Sequence, residues 1–330
     1  MVLGKKLGID LGSTAIRIAV KGEGVVLSEP SVLAMRAGSG NAIAFGASAA
    51  HVDAAPDVGL IHPMRDGMAV DEAAVELLLS LAVSRVVGRQ RIFKPDMVIV
   101  VMSALPGEQR RALLDVATRT GARTVYLLDA PIAAAMGGRL DLSDGDGHLV
   151  VDAGGGKTEV CALVEEGTLA GRCLPGGTGR LGEAVAEHVR DRHGLDLDEG
   201  AVGELLLSLG AAGPDGDRRL AASGGGSVTS EARLSSAELS PFVDAYAGEV
   251  VAALAEVLDE VPPHLRDDIQ REGILLTGGA ARLHGLDRHL AAASGVAVRV
   301  AAEPELCAVR GAGKAVDNLD MLKRNVMYLR

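Results

Sequence analysis

The segment HLVVDAGGGKTEVCALVEEG, His148 to Gly167, runs from an apolar strand through an aspartate and three glycines into a Lys-Thr pair and a second apolar run. Glycines without a Cβ let backbone N–H groups approach a bound group that a side chain would exclude. Asp152, at the strand end, is the one charged acceptor beside Gly154, Gly155 and Gly156. Together they describe a phosphate cradle with a carboxylate placed to hold Mg²⁺ or orient water. A plain glycine-rich hairpin turn would read the same way, so the rest of the chain must decide. GIDLGSTAIRIAV, Gly8 to Val20, has the same form: a strand, Asp10, a turn with Gly12, Ser13 and Thr14, and a second strand. Two such hairpins facing each other across a cleft would clamp a polyphosphate, with Asp10 and Asp152 addressing the metal through water. LLTGGAARL supplies a third glycine turn, expected at a helix N-terminus where an anion or a flat base can approach. The mononucleotide P-loop and the dinucleotide fingerprint are both missing.

At 330 residues, two lobes are the better prior than one core. Strands and helices alternate, which predicts an α/β chain. From Asp71, apolar residues at Val75, Leu78, Leu79, Ala82, Val83 and Val86 keep helical spacing. A strand DMVIVVM, a helix from Glu108 to Thr120, a strand TVYLLD and a helix opened by Pro131 follow. In the second half, a helix ends at Gly194, and the stretch from Gly210 to Ser236 reads as loop or small β insert. Ser240-Pro241 is expected to start a long helix with Phe242, Tyr246, Val250, Ala253, Val257 and Leu258 on one face. The small-residue segments PIAAAMGG and AVRGAGKAV predict two helices able to cross closely.

Aromatic residues are 2% of the chain, tryptophan is absent and the net charge is −11. Nucleic-acid binding needs stacking platforms and a basic surface, so it is excluded as an expectation. Cys161, Cys173 and Cys307 have no metal-like spacing, and a reducing cytoplasm suits them. The N-terminus has no apolar signal region, and no stretch reaches the roughly 18 uninterrupted apolar residues of a bilayer span. A soluble protein is expected. One place still suits a membrane surface: RVVGRQRIFKPD puts Ile92 and Phe93 among Arg85, Arg89, Arg91 and Lys94. Each such charge contributes about 1 kcal/mol at an anionic bilayer. The other reading is that Phe93 caps the core of the following strand.

The chain resembles the actin, heat-shock-chaperone and sugar-kinase ATPase superfamily, and within it the MreB-like bacterial actins. The likeness runs nearly end to end, through GIDLGS, LSEPSVLAM, HPMRDGMAVDEAA, FKPDMVIVVMSAL, ARTVYLLDAPIAAAMGG, VVDAGGGKTEV, GILLTGGAARLHGLDRHL and CAVRGAGKAVDNLDMLKR. It implies an actin-like two-lobed fold, each lobe a mixed sheet with flanking helices around a central nucleotide cleft. Lobe I would take residues 1–138 and 310–330, with an insert about 33–64; lobe II would take 139–309, with an insert about 194–240. It implies ATP or ADP with Mg²⁺ as ligand. Gly12, Ser13, Thr14 and Ala15 would form the first phosphate loop, and Gly154, Gly155, Gly156, Lys157 and Thr158 the second. Gly278, Gly279, Ala280 and Ala281 would lie at the adenosine and Glu204 near the ribose. It further implies homopolymer filaments at the inner face of the cytoplasmic membrane, touching anionic lipid through Ile92 and Phe93 and working with the cell wall elongation machinery.

The departures from that pattern are specific. The glutamate usual before the PMAAAIG-like helix is Ala130, with Asp129 one residue earlier. Ala15 replaces an asparagine, Lys157 a threonine, Leu206 a lysine near the adenine, and Thr178 an acid after Gly176-Gly177. Nucleotide binding is expected to survive these changes and hydrolysis to be weak or absent, with Asp152 and Asp129 the remaining candidate catalytic acids. A non-polymerising nucleotide scaffold, and a small-molecule kinase or chaperone-type ATPase, stand as the alternative readings.

Overall fold

The computed structural model describes residues 4–38, 40, 42–50, 52, 57–88, 93–165, 167–209, 219–223, 231–317 and 328–329. The chain forms two compact units. One comprises Met1–Gly145, Leu163–Thr168 and Leu306–Arg330, the other Asp146–Ala162 and Leu169–Glu305.

In the first unit come β1 (Lys6–Leu11), β2 (Ala15–Val20) and β3 (Gly24–Pro30). A small three-stranded sheet follows from β4 (Leu33–Arg36), β5 (Ala42–Phe45) and β6 (Val58–Ile61), with one helical turn, α1 (Ala47–Ala50), between the last two. A short hairpin, β7 (Met64–Arg65) with β8 (Met68–Ala69), leads to α2 (Glu72–Val87), β9 (Asp96–Val101), α3 (Gly107–Arg119), β10 (Thr124–Asp129) and α4 (Ala130–Gly137). The second unit holds β11 (His148–Ala153), most of β12 (Lys157–Val164) and of β13 (Gly167–Pro175), then α5 (Gly177–His193), α6 (Glu199–Leu209), β14 (Arg219–Ser223) and β15 (Glu231–Ser235). It continues with α7 (Ser236–Glu260), α8 (Pro263–Glu272), β16 (Ile274–Thr277), α9 (Leu286–Ser294) and β17 (Val298–Val300). The chain then returns to the first unit as α10 (Cys307–Asp317) and β18 (Tyr328–Leu329).

The main sheet of the first unit has the order β18-β10-β9-β1-β2-β3. Strand β1 pairs antiparallel with β2, bringing Asp10 opposite Arg17, and parallel with β9. All six residues of β9 are buried, as expected of a parallel strand covered on both faces. Its buried Asp96 is held by the Arg123 guanidinium through both carboxylate oxygens. Asp71 caps α2, accepting from the Ala74 amide at 3.0 Å, and the predicted apolar face is the buried one.

The two small-residue helices do cross closely. A Cβ at Gly311 of α10 would lie 1.8 Å from the Ala133 carbonyl oxygen of α4, and one at Gly137 would lie 1.8 Å from that of Cys307. The same helix rests on β1, where a Cβ at Gly8 would stand 2.4 Å from the Gly313 nitrogen. Glycine at these positions sets the separation of the layers.

The second unit builds its sheet in the order β13-β12-β11-β16-β17. Its core joins Leu149 and Val151 of β11 and Val160 of β12 to Val185 and Val189 of α5 and to Val243, Val250 and Val257 of α7. Cys161 is fully buried, as its place in the strand predicts. One expectation changes here. The long helix α7 starts at Ser236, because Ser235 is its N-cap, the Ser235 hydroxyl accepting from the Glu238 amide. Pro241 therefore sits inside the helix, and the Ala237 carbonyl its missing amide leaves accepts from the Ser240 hydroxyl at 3.3 Å. The expected insert from Gly210 contains the β14–β15 hairpin; residues 210–218 and 224–230 lie outside the described residues.

Candidate functional site

The two aspartate–glycine turns close with the same backbone bond. Gly12 donates to the Ala15 carbonyl at 3.0 Å, and Gly154 to the Lys157 carbonyl at 2.8 Å. Ala15 and Lys157 therefore hold equivalent places, each five residues beyond its aspartate.

In the first unit, the turn is tied down from outside. The Ser31 hydroxyl donates to the Gly12 carbonyl at 2.6 Å, the Ser31 amide to the Thr14 carbonyl at 3.0 Å, and the Gly67 amide to the Ser13 hydroxyl at 3.0 Å. Asp10 forms an ion pair with Arg17 at 3.4 Å, both side chains about one-fifth exposed at 17% and 19%. Sequence reasoning missed Arg17. Its signal was present: a charge in the middle of the apolar strand AIRIAV, opposite Asp10 in register.

In the second unit, the glycine run is docked on the start of α5. Gly176 donates to the Gly156 carbonyl at 2.9 Å, Thr178 to that of Gly154 at 3.1 Å, and Gly179 to that of Gly155 at 2.7 Å. With the carbonyls drawn toward the helix, the Gly155 and Gly156 amides have no backbone partner among the described residues. That is the arrangement an anion-binding turn requires. Gly177 makes the docking possible, since its φ is +44° and a Cβ there would lie 2.3 Å from the Gly154 carbonyl oxygen. The sequence reading had noted Gly176-Gly177 only for the residue that follows them.

The side chains around this turn divide by strand face. Asp152 accepts from the Thr277 hydroxyl at 2.9 Å. Thr158 is wholly buried and its hydroxyl bonds the Tyr246 phenol at 2.8 Å, so it reaches a ligand through its backbone alone. Burial pushes the Tyr246 phenol up to about 12, with the Thr158 hydrogen bond opposing. Lys157 pairs with Glu159, which has no exposed surface. Burial by itself would pull the Lys157 ammonium's pKa down, but the charges of Glu159 and Asp152 outweigh it and hold it above the ordinary lysine value.

The remaining sequence-predicted residues fall as follows. Gly278 has φ +82°, and a Cβ there would stand 2.2 Å from the Ala153 carbonyl oxygen, so the third turn packs directly on β11. It opens into a short 3-10 turn, Gly279–Arg282, and not into α9, which begins at Leu286. Ala280 and Ala281 are buried in the core of the unit, leaving Gly278 and Gly279 as its accessible part. Glu204 is exposed on α6, whereas Leu206 is buried; the residue beside Glu204 on the exposed face is Leu207.

Asp129 is committed elsewhere: its carboxylate accepts from Arg110 at 2.7 Å, and the same guanidinium bonds the Met102, Ser103 and Leu105 carbonyls. Ala130, the first residue of α4, is buried. Phe93 is 50% exposed, which removes the core-capping reading; Ile92, Arg89 and Arg91 lie outside the described residues. Arg85 leaves the proposed cationic cluster, because it stacks 4.1 Å over the Phe45 ring and pairs with Glu29 at 2.6 Å.

Asp10 and Asp152, the carboxylates assigned to the expected metal, each stand near the end of the strand that enters a glycine turn, where one or two carboxylates with water and phosphate oxygens would serve Mg²⁺. Both also have partners within the chain, Asp10 in the Arg17 guanidinium and Asp152 in the Thr277 hydroxyl. Among the described residues, no group of three or more His, Cys, Asp or Glu side chains is arranged to hold a metal ion.

Comparison with known proteins agrees with this architecture. The family model described as MreB/Mbl protein matches residues 4–324. The cell shape-determining protein MreB of Escherichia coli is 34% identical over 326 residues, covering 96% of this chain and 94% of its own. Mbl of Bacillus subtilis is 29% identical, covering 97% and 98%. Among solved structures, MreB5 of Spiroplasma citri bound to ADP superposes with a TM-score of 0.88 at 22% identity, covering 98% of this chain and 100% of that one. The MamK double helical filament gives a TM-score of 0.80 at 18% identity, covering 95% and 98%. The fold is actin-like.

Proposed function

Because the chain belongs to the MreB/Mbl family, we propose that it is a bacterial actin that binds ATP and ADP at its glycine turns and assembles into filaments for cell shape. The observation that carries the reading is the second-unit turn, whose carbonyls are taken up by α5 while the Gly155 and Gly156 amides stay available to phosphate oxygens. MreB5 of Spiroplasma citri, solved with ADP and with AMPPNP, and the MamK filament support the nucleotide and the polymer. The match over residues 4–324 favours this reading over a small-molecule kinase or a chaperone ATPase.

Hydrolysis is slow in this proposal. The alanine at position 130 has no polar atom to orient water, and the Asp129 carboxylate is held by Arg110. Work at the inner face of the cytoplasmic membrane with the wall elongation machinery belongs to the proposal too, Phe93 being exposed beside Lys94. Mg²⁺ accompanies the nucleotide in this proposal, with a carboxylate near each glycine turn, Asp10 or Asp152, available to it through water.

The test is a direct ATP titration joined to sedimentation of the polymer. Gly155 is not among the glycines with positive φ, so Gly155→Val avoids left-handed strain and puts a branched side chain within the turn proposed to cradle phosphate. The wild-type protein is expected to bind ATP and to pellet in its presence, and the variant to lose both. Unchanged affinity in the variant removes this turn from the site.

A further inference from the structure

The two aspartates that lead into the glycine turns stand at matching places in their sheets. Asp10 of β1 lies beside Val100 of the parallel strand β9, and Asp152 of β11 beside Thr277 of the parallel strand β16. Of these two neighbours, only the threonine has a side-chain donor. Adjacent strands lie about 4.8 Å apart, so a hydroxyl and a carboxylate paired in register can meet. The Thr277 hydroxyl stands 2.9 Å from Asp152 Oδ1 and 3.4 Å from the Val151 carbonyl oxygen. It has one proton to give, and the charged acceptor is the shorter contact. Thr277 has no exposed surface, whereas Asp152 is half-buried. Backbone packing fixes the threonine. A Cβ at the next residue, Gly278, would stand 2.2 Å from the Ala153 carbonyl oxygen, and the Gly278 amide donates to the Pro304 carbonyl at 2.9 Å. A β-branched side chain is also stiff at χ1, which leaves the hydroxyl few directions.

We infer that Thr277 is a positioning residue for Mg²⁺: by holding Oδ1 it sets the plane of the Asp152 carboxylate, and with it the direction in which that carboxylate meets the water shell of a nucleotide-bound metal. The inference rests on the nucleotide-binding reading above, and both residues belong to the second unit. A neutral hydroxyl suits the task. It orients the carboxylate and leaves the negative charge in place, whereas the Arg17 guanidinium opposes the charge of Asp10. Lys157, whose charge reaches Asp152, is itself paired with Glu159. Mg²⁺ is held through one or two carboxylates while keeping several of its waters, so the aim of a single carboxylate matters. Hydrogen-bond partners of such carboxylates are typically worth about 10–100-fold in metal affinity.

The experiment is calorimetric titration of the full chain with ATP, once in excess MgCl₂ and once in EDTA, the ratio of affinities measuring what the metal adds. The wild-type protein is expected to bind more tightly in MgCl₂. Thr277→Val keeps the shape of the side chain and removes the donor. It is expected to lose about tenfold or more in MgCl₂ and to stay within about threefold in EDTA, a difference below 1 kcal/mol. Thr277→Ser restores the hydroxyl and is expected to keep the wild-type ratio. Asp152→Asn is expected to abolish the gain from the metal, and Thr277→Val added to it to change the ratio no further, because the threonine acts through that carboxylate. Should Thr277→Val fail to fold, Thr277→Ala removes the same donor and is expected to show the same selective loss. Equal losses in the two conditions, an undiminished ratio without the hydroxyl, or a wild-type affinity indifferent to Mg²⁺ each overturn the inference and leave the nucleotide reading standing. Absence of ATP binding by the wild-type protein in both conditions overturns that reading itself.

Discussion

The hydrogen bond between Thr158 and Tyr246 offers a quantitative check on how the second turn is anchored. Thr158 is 0% exposed and Tyr246 6%, and their oxygens are 2.8 Å apart, the ordinary length of an O–H···O bond. Tyr246→Phe removes one hydroxyl and deprives the other of this partner inside the core. Depriving a buried hydroxyl in this way costs about 1–3 kcal/mol. Thr158→Val is nearly isosteric and strands the phenol at a similar cost. If the two effects were independent, the double variant would lose about 2–6 kcal/mol, the sum of two such penalties. With both hydroxyls gone, nothing is stranded, and the double variant is expected to be no worse than either single one. The coupling energy is then about 1–3 kcal/mol, within the range of directly bonded pairs. Urea unfolding followed by circular dichroism measures all four proteins, with unchanged slopes showing that the unfolded state has not moved. Losses that add within about 0.5 kcal/mol would refute the bond and with it the anchoring of β12 on α7.

Other expectations follow from single positions. Gly311→Val puts a side chain against the α4 backbone, 1.8 Å from the Ala133 oxygen at Cβ, and no rotamer relieves it. Its melting temperature is expected to drop by the equivalent of about 3 kcal/mol. Gly248→Ala, mid-helix with nothing within 4 Å, is expected to stabilise by roughly 0.5–1 kcal/mol. Burial alone would raise the Glu238 carboxyl, but hydrogen bonds from His193 and His188 outweigh it and hold it below the ordinary glutamate value. A depressed carboxyl adds stability above its unfolded pKa and loses it as pH falls through the folded one. The melting-temperature gap between wild type and Glu238→Gln should therefore close below about pH 4; a gap that widens in acid contradicts the assignment. Single-turnover ATP hydrolysis is expected about 10²–10⁴-fold slower than in relatives with a glutamate before α4, and Asp129→Asn should leave the rate unchanged. Ile92→Ser with Phe93→Ser should reduce sedimentation with anionic liposomes at an unchanged melting temperature.

What the sequence determined by itself was local. Asp10 and Asp152 at strand ends, the glycines after them, and the small residues of α4 and α10 are periodic or contiguous features whose physics lies in neighbouring residues. The strand–turn–strand units and the close helix crossing could be read from them, and so could the family. The long-range arrangement could not. That Asp129 belongs to Arg110, that Gly177 must be left-handed to receive the Gly154 carbonyl, and that Thr158 spends its hydroxyl on Tyr246 across 88 positions all depend on distant segments packing together. The helix start at Ser236 shows the same limit at short range, since the Ser235 N-cap outweighed the serine–proline signal that follows it. Charge is the clearest case. Lys157, Glu159, Asp152, Asp10 and Arg17 are all visible in the sequence, but which acid meets which base is set by strand register and burial, and only the tertiary structure decides those.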